Sequence, residues 1–94
     1  MYYNMRDFSF IRFEKSNTKN KKYDAIIEHK RTKKKFILPF GDIRYQHFHD
    51  NALGIYKHLD HGDINRRHLY KLRHAKFIKE NFYSPGYFSM KYLW

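Results

Sequence analysis

The sequence predicts an α+β fold: a three-stranded antiparallel meander, then a long ordered connection, then two C-terminal helices. Three observations point to it. The first forty residues carry three runs in which large apolar side chains alternate with polar ones, the period of a strand with one covered face. A helical period begins directly after Gly62-Asp63. Ser84-Pro85 then joins a capping residue to a proline suited to the first helical position.

Residues 5–15 (MRDFSFIRFEK) form the first predicted strand. Phe8 and Phe10 alternate with polar neighbours, and Ile11 and Phe13 shift the phase by one, as a β-bulge does. Residues 16–21 are polar and turn-forming. The second strand is expected over 22–29, with Tyr23, Ala25 and Ile27 on one face. His29 to Lys34 make a basic turn. The third strand spans 35–40, with Phe36, Leu38 and Phe40 alternating, and Pro39 marks it as an edge or an ending strand.

Gly41 interrupts this pattern, and residues 42–62 show no clean period. They read as an ordered connection with a short helix near 52–58. Its apolar and aromatic residues (Ile43, Tyr45, Phe48, Leu53, Ile55, Tyr56, Leu59) are expected to tuck under the sheet. Asp63 is the predicted cap of a helix over 64–76. At about 100° per residue, Ile64, His68, Leu69, Leu72 and Ala75 fall on one side, the expected core face; Arg66, Arg67, Tyr70, Arg73, His74 and Phe77 fall on the other. After Ser84-Pro85, residues 86–94 form a short aromatic helix that must dock on the body, because so short a helix is unstable alone in water.

The chain has 94 residues, enough for one domain over 1–94 and too few for two. Aromatics make up 20% of it, and their large rings offset the small size of the core. Lys and Arg number 20 against 9 Asp and Glu, a formal charge of +11. Such an excess repels itself and is relieved when another molecule supplies opposite charge. Nucleic acid is the first expected partner, an acidic protein surface the second and anionic lipid the third. With no cysteine, disulfides, thiol catalysis and cysteine-type zinc sites are excluded. The opening Met1 to Arg6 has no apolar core behind a basic head, so no signal peptide is expected. No apolar run approaches the roughly 18 residues of a spanning helix.

Two basic regions are candidate polyanion sites. Lys19, Lys21, Lys22, Lys30, Arg31, Lys33, Lys34 and Lys35 crowd the strand ends and turns, where flexible point charges neutralise phosphates without reading sequence. On the outward helix face, Arg66, Arg67 and Arg73 alternate with Tyr70 and His74, pairing guanidinium forks with rings that stack on bases. The competing assignment for that face packs Tyr70 and Phe77 under the loop or the last helix. The tail from Ser84 to Trp94 must either enter the chain's own core, the favoured outcome, or present Tyr87, Phe88, Tyr92 and Trp94 as a partner-docking surface.

His47, His49, Asp50, His58, Asp60, His61 and Asp63 form a His/Asp cluster without a zinc-type spacing, so capping and loop bracing are expected rather than a metal site. The chain shows no Gly-rich phosphate loop, no nucleophile elbow and few acids, so neither catalytic residues nor cofactors are expected.

Phe40-Gly41, His58-Leu59-Asp60-His61-Gly62-Asp63, Arg66-Arg67 with Tyr70 and Arg73-His74, Ser84-Pro85-Gly86-Tyr87-Phe88-Ser89 and Tyr92-Leu93-Trp94 together resemble a family of small uncharacterised proteins of giant DNA viruses, of the mimivirus and algal phycodnavirus kind. The resemblance covers about residues 22–94; the stretch IKENFY before Ser84 and the first twenty residues have no counterpart in it. It implies a viral origin, a compact β-then-α domain and no catalytic residues. The expected function is therefore that of a non-enzymatic structural protein, a small basic virion component of minor capsid or cement type. Its partners would be viral structural proteins or packaged nucleic acid, with no small-molecule substrate, and it would reside in the virion and in the host cytoplasm or nucleus during infection. A sequence-nonspecific DNA- or RNA-binding protein is the first alternative and a metal-dependent nuclease using His58 or Asp60 the second.

Overall fold

The computed structural model describes residues 3–79 and 81–94, and for 77–79 the backbone alone. A short strand, β1 (Tyr3–Asn4), leads into β2 (Phe8–Lys15), β3 (Lys21–His29) and β4 (Lys35–Asp42). A 3-10 turn at Lys57–Leu59 precedes α1 (Ile64–Lys79), β5 (Phe82–Tyr83) and α2 (Pro85–Tyr92). β2, β3 and β4 form an antiparallel meander with β3 in the centre, and β1 pairs with β5 in a separate two-stranded ladder. The α+β class and the order of meander, connection and two helices are those the sequence predicts; the β1–β5 ladder is an addition to them.

The predicted bulge lies where the phase shifts. Phe10 pairs with Ile27 and Arg12 with Ile26, so Ile11 is the extra residue and turns outward. Phe10 and Phe13 thereby both reach the core. The first strand is shorter than expected, because Met5 to Asp7 turn: the Asn4 side chain accepts the Arg6 N–H at 2.8 Å, and the Asn4 carbonyl accepts that of Asp7 at 2.9 Å. Pro39 sits on an edge strand, as its missing N–H requires. β4 continues past Gly41, which takes φ +73; a Cβ there would also meet Leu93 Cδ1 at 3.0 Å and Lys22 Cδ at 3.1 Å. Both backbone conformation and space demand glycine at that position.

The core is aromatic and is closed by the tail. Tyr23, Ala25, Ile27, Leu38 and Phe40 from the sheet meet Tyr87, Phe88 and Leu93 from α2 and the residue after it. Phe88 is fully buried, with ring centroids of Phe10, Phe40 and Tyr83 at 5.5, 5.6 and 5.5 Å. Ser84 Oγ accepts the Tyr87 N–H at 3.1 Å and Pro85 opens α2, as predicted. Tyr92 packs on Phe13 at 4.7 Å, and Trp94 stacks on Tyr70 at 4.2 Å with planes 5° apart. The partner-docking role for Tyr87, Phe88, Tyr92 and Trp94 is thus corrected: these rings pack into or against the core over one face of the sheet.

Two further expectations are overturned. The short helix expected near 52–58 is reduced to the 3-10 turn at Lys57–Leu59; before it, Gly54 adopts φ +75 and the Asp50 carboxylate draws in the N–H groups of Ala52 and Tyr56. Ile43, Tyr45, Leu53 and Ile55 do not tuck under the sheet but stand exposed; Tyr56 alone of the expected set packs against the core cluster. α1 is rotated from the predicted core face, although Arg66 and Arg73 are exposed as predicted and Tyr70 packs against the tail as the competing assignment had it. Ile64, Leu69 and Leu72 are 71%, 58% and 64% exposed, while Arg67, Tyr70 and His74 face the body. What α1 meets is the ring of Trp94 and the Ser89 hydroxyl rather than an aliphatic layer, and Tyr70 satisfies both. The Phe77 side chain lies outside those described.

Candidate polyanion interface

The β3–β4 turn carries the densest positive charge. His29 N–H donates to the Lys34 carbonyl and Lys33 N–H to the His29 carbonyl, each at 2.9 Å. The His29 ring accepts the N–H groups of Arg31 and Thr32 through Nδ1, each at 3.2 Å. Lys33 completes the turn at φ +63. The backbone is held while Lys30, Arg31, Lys33, Lys34 and Lys35 all project into solvent. Lys30 N–H also donates to the Asp7 carbonyl at 2.8 Å, which brings the β1–β2 turn alongside. Arg6, Asp7, His29, Lys30 and Arg31 line a hollow of about 280 Å³ there.

Internal carboxylates do little to neutralise this charge. Among the described residues, carboxylates pair with Lys or Arg at Arg12–Glu14 and Arg44–Asp42, both 2.7 Å, and at Lys35–Glu28, a long 4.0 Å. The Arg44 guanidinium and N–H hold the Asp42 carboxyl down at about 2. Asp63 is committed as the cap of α1, its Oδ1 accepting the N–H groups of Asn65 and Arg66 at 2.9 and 3.2 Å. Asp50 and Asp60 belong to a buried network.

The remaining predicted cations divide. Lys19 and Lys21 stand near the β2–β3 turn, at the other end of β3, the first exposed and the second half-buried. Arg66 and Arg73 are exposed on α1, and Arg66 Nη1 donates to Gln46 Oε1 at 3.0 Å. Arg67 is half-buried: its Nε donates to the Trp94 carbonyl at 2.8 Å, and its guanidinium lies over the Phe48 ring at 4.8 Å. Tyr70 stacks between Trp94 and His74, so it offers no free face for a base. His74 Nδ1 bonds the Tyr70 carbonyl at 2.9 Å, which coincides with a kink in α1 at His74.

Lys22 is a correction. It is only 2% exposed, with Nζ donating to the Tyr45 carbonyl at 3.0 Å and to His47 Nδ1 at 2.9 Å. Burial pushes its ammonium down to about 8, against the pull of Asp50, Asp42 and Asp60. It cannot meet a phosphate. The cause is its position at the start of the central strand, where the 43–62 connection folds over it.

That connection is braced by the His/Asp cluster. His47 is fully buried; with Nδ1 accepting from Lys22, its Nε2 carries the proton and donates to Asp60 Oδ1 at 2.5 Å. Burial and the Lys22 charge lower the His47 pKa, outweighing Asp60. Asp60 Oδ1 also accepts the Asp50 N–H at 2.9 Å. The Tyr23 hydroxyl donates to Asp50 Oδ2 at 2.5 Å and accepts the Ile55 N–H at 2.9 Å. Burial alone would raise the Asp50 carboxyl, but Tyr23 and the N–H groups of Tyr56, Ala52 and Gly54 hold it below its ordinary value. Both nitrogens of His47 are thus occupied in the interior, while His49 and His58 point to solvent. Among the described residues, no three His, Asp or Glu side chains converge as a metal ion requires.

Two participants escaped the sequence reading, and the partner of a third did: Asp50 was among the expected loop-bracing residues, but only folding brings Tyr23 to it. Lys71 and Lys91 line a cleft with Arg67. Lys71 follows Arg67 at the four-residue spacing of one helix face, a signal present in the sequence; Lys91 joins them only through the packing of α2. No helix among the described residues is long and apolar enough to cross a membrane. Comparison with protein-family models, with curated proteins and with solved structures finds no match to this chain.

Proposed function

We propose that this chain is a non-enzymatic structural protein, a small basic virion component of minor capsid or cement type that grips acidic neighbours or packaged nucleic acid. The observation that carries this reading is the imbalance of charge around a closed core. Five consecutive-region cations, Lys30, Arg31, Lys33, Lys34 and Lys35, are held out on one ordered turn, with Glu28 at 4.0 Å from Lys35 as their ion-pair partner among the described residues. A turn with a fixed backbone and exposed cationic side chains suits a polyanion whose spacing varies. The viral setting rests on the resemblance carried by residues 40–41, 58–74 and 84–94. Mass spectrometry of purified virions tests it: the protein should be present and should be released by a high-salt wash. Its absence from virions would end the structural assignment.

A second reading, a sequence-nonspecific DNA- or RNA-binding protein, is favoured by the hollow formed by Arg6, His29, Lys30 and Arg31 with Asp7 at its edge. It requires duplex affinity to fall steeply between about 50 and 300 mM salt, with a log–log slope of roughly 0.9 per phosphate contact. Replacing Lys30, Arg31, Lys33 and Lys34 by Ala should flatten that slope. Equal binding at both salt concentrations removes this reading.

A further inference from the structure

The cleft between α1 and α2 has a different character from the open basic turn. It encloses about 470 Å³, within the roughly 300–1,000 Å³ typical of small-molecule pockets. Arg67, Lys71 and Lys91 supply its charge, Phe48, Met90 and Trp94 its apolar wall, and no Asp or Glu side chain lines it. Arg67 is pre-positioned by its bond to the Trp94 carbonyl and its seat over Phe48. Lys71 is half-buried and makes no hydrogen bond or ion pair among the described residues. Lys91 Nζ donates once, to the Tyr87 hydroxyl at 2.9 Å, and keeps donors to spare. Burial and the neighbouring Arg67 charge both depress the Lys71 pKa, so an anion placed beside Lys71 would relieve it.

We propose that this cleft binds an organic phosphate with an aromatic body, in chemical class a nucleotide. The converging cations match a phosphate, which offers several acceptor oxygens to Arg and Lys at once. The rings and the Met90 side chain match a planar apolar body, which a bare inorganic ion does not have. The sequence announced no small-molecule ligand, because Lys91, Phe48 and Trp94 come from separate elements. This assignment is independent of the basic turn.

Trp94 is the chain's sole tryptophan and lines the cleft, so its emission reports occupancy. The experiment titrates the whole protein with adenosine monophosphate, and with adenosine, ribose 5-phosphate and inorganic phosphate separately. Calorimetry accompanies it, to register binding that leaves the emission unchanged. Saturable binding of the monophosphate is expected, with each of the other three weaker by about tenfold or more. Lys71→Ala should weaken the monophosphate by about tenfold or more, the scale of one charge-assisted hydrogen bond. The same variant should melt no lower than the parent, because it removes a repulsion. Alanine replacement of Lys30, Arg31, Lys33 and Lys34 should leave monophosphate binding unchanged. No heat and no saturable emission change, equal affinity for inorganic phosphate, or full affinity in Lys71→Ala would each overturn the proposal.

Discussion

Tyr23 joins the two chemistries of this protein in one side chain. Its ring lies in the core, 5.3 Å from Tyr56 and 6.0 Å from Phe40, and its hydroxyl both donates to Asp50 and accepts from Ile55. Tyr23→Phe keeps the ring and leaves a buried carboxylate short of a donor and a backbone N–H short of an acceptor. Urea denaturation should show a loss of about 2–3 kcal/mol. A loss below about 0.5 kcal/mol would mean that the connection is held by other contacts. His47 makes a second case. Folded, it stays neutral because burial and Lys22 keep a second proton off; unfolded, it takes that proton near its ordinary 6.5. The unfolded state therefore binds more protons below that pH, so stability is full above about 6.5 and falls as the solution is acidified. His61, lowered by burial and Arg66, adds to the same slope. A pH series of denaturation curves should show the decline, and His47→Gln should reduce its steepness; an unaltered slope would acquit His47.

Among the elements, α1 shows how a correct helix can be turned the wrong way. Its start and Asp63 cap follow from the sequence, although it runs to Lys79 rather than ending at 76, and Leu69 and Leu72 face solvent while Tyr70 faces in. Aliphatic residues usually mark the buried stripe, but the surface available to α1 is the stacked ring of Trp94. The double change Leu69→Gln, Leu72→Gln should shift stability by no more than about 0.5 kcal/mol. Tyr70→Ala, which removes the stack and the contact with Ser89, should cost about 1–3 kcal/mol. Thermal melts of the two variants separate the faces, and the reverse ranking would reverse the helix. The strands were easier to read. Alternation placed Tyr23, Ala25, Ile27, Leu38 and Phe40 on one face, and all five are in the core. The same alternation exposed the bulge at Ile11. Its limit was the connection, where burial goes to a polar network and no period exists to be read.

The whole molecule is slender, with extents of 41 × 28 × 18 Å, so its charges lie close to solvent and to one another. With +11 formal charges and few internal ion pairs, it should gain stability as salt rises from about 10 to 200 mM, through screening of self-repulsion. Polyphosphate should raise the melting temperature further than sodium chloride of equal ionic strength. A melting temperature that falls over this range would show that attractive pairs outweigh repulsion. The basic turn was legible as a charge run in the sequence. Lys22, from the same run, was not separable from it, because one residue's burial depends on a loop that arrives twenty residues later.

Local pattern determined the elements of this protein. Side-chain alternation, a phase shift at Ile11, the caps Asp63 and Ser84 and the proline after it act within a few residues, so their physics is complete in the linear chain. Tertiary structure decided which surfaces meet. It sent Phe88 and Leu93 into the sheet, set Trp94 against Tyr70, buried Lys22 beside His47 and gathered Arg67, Lys71 and Lys91 around one cleft. Those outcomes depend on competition among distant groups for a small buried space, and aromatic rings won it over leucines because rings from the tail arrived to stack with them.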